Sequence, residues 1–193
     1  MINYFLPDFF FHKKLDNHTS LKKSLYPEIL KIQKDVDKPW SISNCRSSFE
    51  NENANQFLYS HSELVDTIWS SYDELLSDSF IKNSHDYRYP TDSSFQSMWF
   101  NVYDKGDYQE VHNHVGGDVK YSLIYILHDE SDTGVCFNSS NPLITKYSHV
   151  SYINSKIKDI GEGSLLIFPA YFDHFVLPAT GKRVSITANI LST

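Results

Sequence analysis

The chain has 193 residues, of which 40% are hydrophobic and 15% aromatic, and a formal net charge of −7. That is enough apolar material for one globular domain with a sizeable core, and too much for a disordered chain. No run of Lys and Arg exceeds two residues, which argues against nucleic acid or an anionic membrane surface as the main partner. No apolar run approaches membrane-spanning length. Cys45 and Cys136 lie 91 residues apart (136 − 45) and form no C-x-x-C pair, so both are expected as reduced thiols of a cytoplasmic protein.

The apolar start, residues 1–11, is broken by Pro7 and Asp8 and lacks the basic segment of a signal peptide, so it is expected as a first strand. Polar residues 13–24 are expected as loop. Residues 26–36 suit a short helix, with Pro27 in its first turn and Ile29, Ile32 and Val36 on one face. Residues 37–56 carry no periodicity and are expected as a long loop, either a lid over a site or a solvated connection. Ser60-x-x-Glu63 is a capping box, and Leu64, Ile68, Tyr72, Leu75 and Leu76 then recur at helical spacing, with Val65 and Trp69 widening the stripe. This second helix is expected to reach about Ile81, with His61 and His85 at the surface near its ends.

From Phe95 the period changes to two. Strands are expected over 95–103, 108–115, 119–127, 135–138, 147–153, 164–169, 174–177 and 183–191, with turns at 128–134 and 161–163. Short, regularly spaced strands indicate an all-β sandwich or barrel, with the two helices packed outside it. No repeat or linker divides the chain. A single domain is expected over 1–193, made of an N-terminal strand and supporting helices (1–94) and a β core (95–193).

Chemistry concentrates in two stretches of that core. In Gly106-Asp-Tyr-Gln-Glu-Val-His112-Asn-His114, the histidines stand at i and i+2, and a strand points both toward one face. Gly163-Ser-Leu-Leu-Ile-Phe-Pro169 leads to His174, and Arg183-Val-Ser185 follows nine residues on (183 − 174). Neutral imidazoles suit iron, zinc, copper or nickel. Arg183 and Ser185 share a face, where a guanidinium can bind a carboxylate bidentately.

From about Trp99 to Ile190 these motifs resemble the double-stranded β-helix, or jelly roll, of the cupin superfamily. More narrowly, they resemble the iron(II)- and 2-oxoglutarate-dependent oxygenases near the prolyl-hydroxylase-like group, including bacterial and bacteriophage members. The carrying residues are Lys105 to His114, Gly161-x-Gly163 to Pro169, His174 and Arg183-x-Ser185. The resemblance implies Fe(II) held by His112 and His174, with 2-oxoglutarate and O₂ as cosubstrates and a hydroxylated product formed together with succinate and CO₂. It also implies that Arg183 and Ser185 bind the far carboxylate of 2-oxoglutarate, with Tyr103 and Tyr125 as further polar contacts to it. The usual H-x-D or H-x-E is here His112-Asn-His114, so the third ligand is His114 or, bending back past Gly116 and Gly117, Asp118. His114 is preferred, because i and i+2 share a face without rearrangement. The substrate is expected to be a peptidyl proline, another side chain or a small molecule, acted on in the cytoplasm of a bacterium or a phage-infected host. A homodimer is one expected form, with the oligomeric state otherwise open. The rival readings are a three-histidine cupin dioxygenase that needs no 2-oxoglutarate, and a non-enzymatic cupin that binds metal or sugar.

Overall fold

A computed structural model describes residues 9–36, 43–82, 92–138, 152–154 and 160–192. Their strands form two antiparallel sheets. The larger has the order β1 (Phe11–Lys14), β8 (Ser164–Pro169), β5 (Val119–Asp129), β10 (Arg183–Ser192), β3 (Ser93–Tyr103) and β2 (Arg46–Ser47). The smaller has the order β4 (Gln109–His112), β9 (His174–Val176), β6 (Val135–Asn138) and β7 (Tyr152–Asn154). From β3 onward the chain alternates between the sheets, except that β6 and β7 follow one another in the small one, giving a jelly roll.

The central strands of the large sheet are buried on both faces. One face packs against helices α1 (His18–Ile32), α2 (Glu52–Ser60) and α3 (Ser62–Ser77) through Phe100, Leu123, Tyr125, Ile167 and Ile186. The other faces the small sheet through Tyr103, Ile124, Ile126, Leu166 and Phe168, which meet Val135, Phe137 and Val176. Such double burial is why Ser164–Pro169 reads as an unbroken apolar run. On β10 it has a different consequence. Val184, Ile186, Ala188 and Ile190 face the helices, and the alternate residues Arg183, Ser185, Thr187 and Asn189 are also buried. A polar row on an inner face has no water to serve it, so it lines a site.

The N-terminal part differs from the sequence expectation. Residues 1–8 lie outside the described residues, and the first described strand is Phe11–Lys14, paired antiparallel with β8. Residues expected as loop begin α1 instead, because Leu21, Leu25 and Ile29 form a buried stripe beneath the polar residues between them. Pro27 therefore sits inside this helix, on its exposed side, where the carbonyl left unbonded by the missing N–H meets water. In the segment expected as loop, the strand β2 pairs with β3, and α2 follows an N-cap at Asn51 whose side chain accepts from the Ala54 N–H. The expected capping box is not used. Ser60 ends α2, and His61 caps α3 by accepting the Leu64 N–H on Nδ1. Leu64, Ile68, Tyr72, Leu75 and Leu76 are buried as expected, but the helix stops at Ser77 and a short helix α4 (Ser79–Lys82) follows. His85 and most of the strand expected over 147–153 fall outside the described residues.

Gly163, in the turn before β8, has φ +83°, and an added Cβ would stand 3.0 Å from the His18 ring. Only glycine satisfies both the backbone and the packing there.

Candidate active site

Strands β4 and β9 run antiparallel with His112 directly opposite His174. Beyond His112 the regular pairing ends, yet the chain stays anchored, with the His114 N–H donating to the Ala170 carbonyl at 2.9 Å. The three rings converge. Their centroids are 4.2 Å (His112–His174), 5.0 Å (His114–His174) and 5.4 Å (His112–His114) apart, and one ligand nitrogen from each lies within 4.8 Å of the others.

The hydrogen bonds around these rings define their tautomers. His112 Nδ1 lies 2.7 Å from the Glu110 carbonyl, His174 Nδ1 lies 3.1 Å from the Phe172 carbonyl, and His114 Nδ1 lies 2.7 Å from Asn189 Oδ1. Carbonyl and amide oxygens only accept, so each Nδ1 carries the proton and each Nε2 carries the lone pair. Burial lowers the pKa of all three rings. His114 falls to about 4, with the neighbouring His112 adding to the effect, and His174 falls well below the ordinary range. The rings are therefore neutral at pH 7. His114 Nε2 is buried and has no hydrogen-bond partner. Neutral imidazoles, lone pairs converging and outer nitrogens already bonded, are the donor set a divalent transition metal requires.

Arg183 opens the second half of the site. It is 1% exposed, and its one hydrogen bond to the described protein runs from Nη1 to the Thr133 carbonyl at 3.4 Å. Nε and Nη2 are buried without partners among the described residues. These two atoms form one edge of the guanidinium, the edge that grips both oxygens of a carboxylate. No ion pair among the described residues uses it. A buried, uncompensated guanidinium is costly to a fold, so its free edge points to an anionic ligand. Tyr103 lies directly across from Arg183 on β3, and Asn101 across from Ser185. Burial raises the Tyr103 pKa well above its usual value, and the protonated phenol donates to Gln109 Oε1 at 2.9 Å.

The histidines, Arg183, Ser185 and Tyr103 line a single narrow cleft, walled by Ile124, Val135 and Val176. Two residues named from the sequence are not part of it. Tyr125 points to the helices, since strand alternation sends Ile124 and Ile126 toward the site and Tyr125 away from it; its hydroxyl meets His18 Nδ1 at 2.8 Å. It is a core residue on the helix side of the sheet, away from the cleft. Asp118 is exposed in the turn before β5 and is not among the grouped ligand atoms. Conversely, Trp99, Asn101, Gln109 and Thr187 line the cleft, and Asn189 bonds His114 from outside it, though none was named as a site residue from the sequence. The polar alternation Arg-x-Ser-x-Thr-x-Asn in a strand rich in β-branched residues was the available signal for the last two.

A jelly roll with a histidine cluster and a buried arginine between its sheets defines a class, and comparison with known proteins agrees with it. Residues 97–189 match the family described as "Putative 2OG-Fe(II) oxygenase". The match takes in just under half of the chain, and the family is one of dioxygenases and hydroxylases. No curated protein matches the chain by sequence. Among solved structures, it is similar to a Pseudomonas putida prolyl-4-hydroxylase, with a TM-score of 0.60, 15% identity and coverage of 96% of this chain and 94% of that one. A viral collagen prolyl hydroxylase from Paramecium bursaria Chlorella virus-1 gives a TM-score of 0.55, 14% identity and coverage of 94% and 96%. An α-ketoglutarate-dependent non-heme epimerase from nogalamycin biosynthesis gives 0.61, 10% identity and coverage of 96% and 78%. No helix among the described residues is long and apolar enough to cross a membrane.

Proposed function

We propose that this chain is an Fe(II)- and 2-oxoglutarate-dependent dioxygenase that hydroxylates its substrate, with iron held by Nε2 of His112, His114 and His174. The observation that carries the proposal is the unpartnered Nε–Nη2 edge of Arg183 in the same cleft as three neutral imidazoles. Bound iron, with 2-oxoglutarate and O₂, supplies the oxidising chemistry, in which 2-oxoglutarate becomes succinate and CO₂ and one oxygen atom enters a substrate C–H bond.

The protein's part is positioning. Arg183 binds the far carboxylate of 2-oxoglutarate with two parallel charged hydrogen bonds, and the Ser185 hydroxyl, on the same face of β10, adds a donor. Cross-strand Tyr103, steadied by Gln109, bounds the carboxylate pocket. Ile124, Val135 and Val176 exclude water from between the carboxylate pocket and the histidines, which strengthens the charged contacts. His112 and His174 hold their rings against backbone carbonyls, so they meet the metal already oriented.

A peptidyl proline is the substrate suggested by the similar prolyl hydroxylases. The equally similar epimerase keeps a small molecule open. The all-histidine group favours one rival, a dioxygenase needing no 2-oxoglutarate, but that reading leaves the Arg183 edge without a ligand. Oxygen uptake by iron-loaded protein discriminates the two. The proposal requires uptake to depend on added 2-oxoglutarate. Uptake with a substrate but without 2-oxoglutarate would favour the rival.

A further inference from the structure

His112 and His174 each fix their ring on the backbone carbonyl two residues earlier, Glu110 and Phe172 respectively. His114 does not. Its Nδ1–H donates to a side chain of another strand, Asn189 of β10, at 2.7 Å. We infer that Asn189 is a positioning residue for the third metal ligand, selecting the His114 tautomer and ring orientation that present Nε2 to the metal. The inference rests on the reading of His114 as a ligand.

Three observations carry it. Asn189 is 5% exposed, and its amide is oriented by its neighbours. Ser122 Oγ–H donates to the same Oδ1 at 2.9 Å, and Asn189 Nδ2 donates to Gln96 Oε1 at 3.3 Å, so the oxygen and not the nitrogen faces His114. The His114 ring lies flat against Trp99, with centroids 5.7 Å apart and planes at 17°. Stacking fixes the plane of the ring but permits a 180° turn about the Cβ–Cγ bond, which would put Cδ2 in the place of Nδ1 and Cε1 in the place of Nε2. The hydrogen bond to Asn189 removes that freedom. His114 Nε2 then stays buried and unpartnered, available as a ligand. Asn189 is neutral, so it orients the ring without adding the negative charge that a carboxylate in its place would bring.

The test uses Zn(II) and Co(II) as probes on the full-length protein, with no turnover required. Asn189→Leu keeps the approximate volume and removes the acceptor. It should weaken Zn(II) binding by about 10–100-fold, the range for groups that hold a ligating histidine. It should also alter the visible spectrum of bound Co(II). In metal-free protein, imidazole ¹⁵N spectra should show His114 protonated at Nδ1, and Asn189→Leu should shift it toward the Nε2–H form. Asn189→Asp keeps an acceptor in place and should bind Zn(II) at least as tightly as wild type. Wild-type affinity and tautomer in Asn189→Leu, with His114→Ala losing the metal, would overturn the inference alone. Equal losses in the Leu and Asp variants would also overturn it, because Asn189 would then act by packing. Wild-type metal binding in His114→Ala would instead overturn the ligand assignment beneath it.

Discussion

His112 and His174 occupy the same register position of the β4–β9 pair, their ring centroids 4.2 Å apart, although 62 residues (174 − 112) separate them in the chain. The small sheet therefore brings two of the three candidate ligands together, His112 at its edge and the buried His174 with its ring edge-on to Phe168 at 4.8 Å. His112→Ala or His174→Ala should abolish iron binding and leave the fold largely intact. Metal analysis after loading, together with circular dichroism, checks this. Full iron occupancy in either variant would remove that residue from the ligand set.

Arg183→Gln should separate cosubstrate binding from metal binding. The substitution removes the charge and the two-donor edge while keeping a polar side chain. Charge-assisted hydrogen bonds are worth about 1.5–3 kcal/mol, so 2-oxoglutarate affinity should fall by roughly 10–100-fold or more, with metal content unchanged. Calorimetric titration of 2-oxoglutarate into metal-loaded protein measures it. The buried, unpartnered guanidinium of the unliganded protein adds a second expectation: the variant should melt no lower than wild type without 2-oxoglutarate, but should lose the thermal shift that the cosubstrate gives.

The two candidates for the third ligand predict opposite outcomes. Asp118 is exposed and beyond the two glycines, and His114 is anchored at the cluster. Asp118→Asn should keep its iron and most of its activity. His114→Ala should lose most of the metal, and His114→Asp should restore a metal group with two histidines and a carboxylate. Metal stoichiometry across the three variants decides between the candidates. Loss of iron in Asp118→Asn alone would reverse the assignment.

Much of the site was legible because strand periodicity is strict. Residues two apart share a face, so Arg-x-Ser placed a pair together, and Gly163 to Pro169 marked the strand leading to His174; His114 lies past the end of β4 and reaches His112 through its bonds to Ala170 and Asn189 instead. The same rule puts Tyr125 on the helix side of β5. A sequence does not say which parity faces the site when both faces of a strand are buried, and β5 is apolar on both sides. Asn189 was hidden for another reason: its role depends on cross-strand contact with a residue 75 positions earlier (189 − 114). At the N-terminus, Leu21, Leu25 and Ile29 carry α1, but the Lys and Ser residues between them obscured the stripe, and Pro27 suggested a helix start where the structure has a helix interior.

A cluster at the helix–sheet boundary makes stability depend on pH. Glu162 Oε1 takes Lys22 Nζ at 2.5 Å and His18 Nε2 at 3.2 Å, tying α1 to the turn before β8. Burial raises the Glu162 pKa, but hydrogen bonds from Lys22, the Asp129 N–H and His18 outweigh it and hold the group at about 2 instead of 4.5. A carboxylate with a depressed folded-state pKa stabilises the fold above its unfolded value and loses that contribution as pH falls through the folded one. Glu162→Gln should therefore melt below wild type at pH 7, and the gap should close as pH falls from 4.5 toward 2. Melting curves of both proteins across that range check it. A gap independent of pH would mean that Glu162 acts by packing and not by charge.

The central claim is that three histidines and Arg183 form one oxygenase site. Succinate formation from 2-oxoglutarate by aerobic, iron-loaded protein tests it most directly. Succinate should form above the rate of free iron even without the prime substrate, with His174→Ala abolishing it and Arg183→Gln strongly reducing it at limiting 2-oxoglutarate. Succinate at the free-iron rate from fully iron-loaded wild type, or an unchanged rate in both variants, would contradict it.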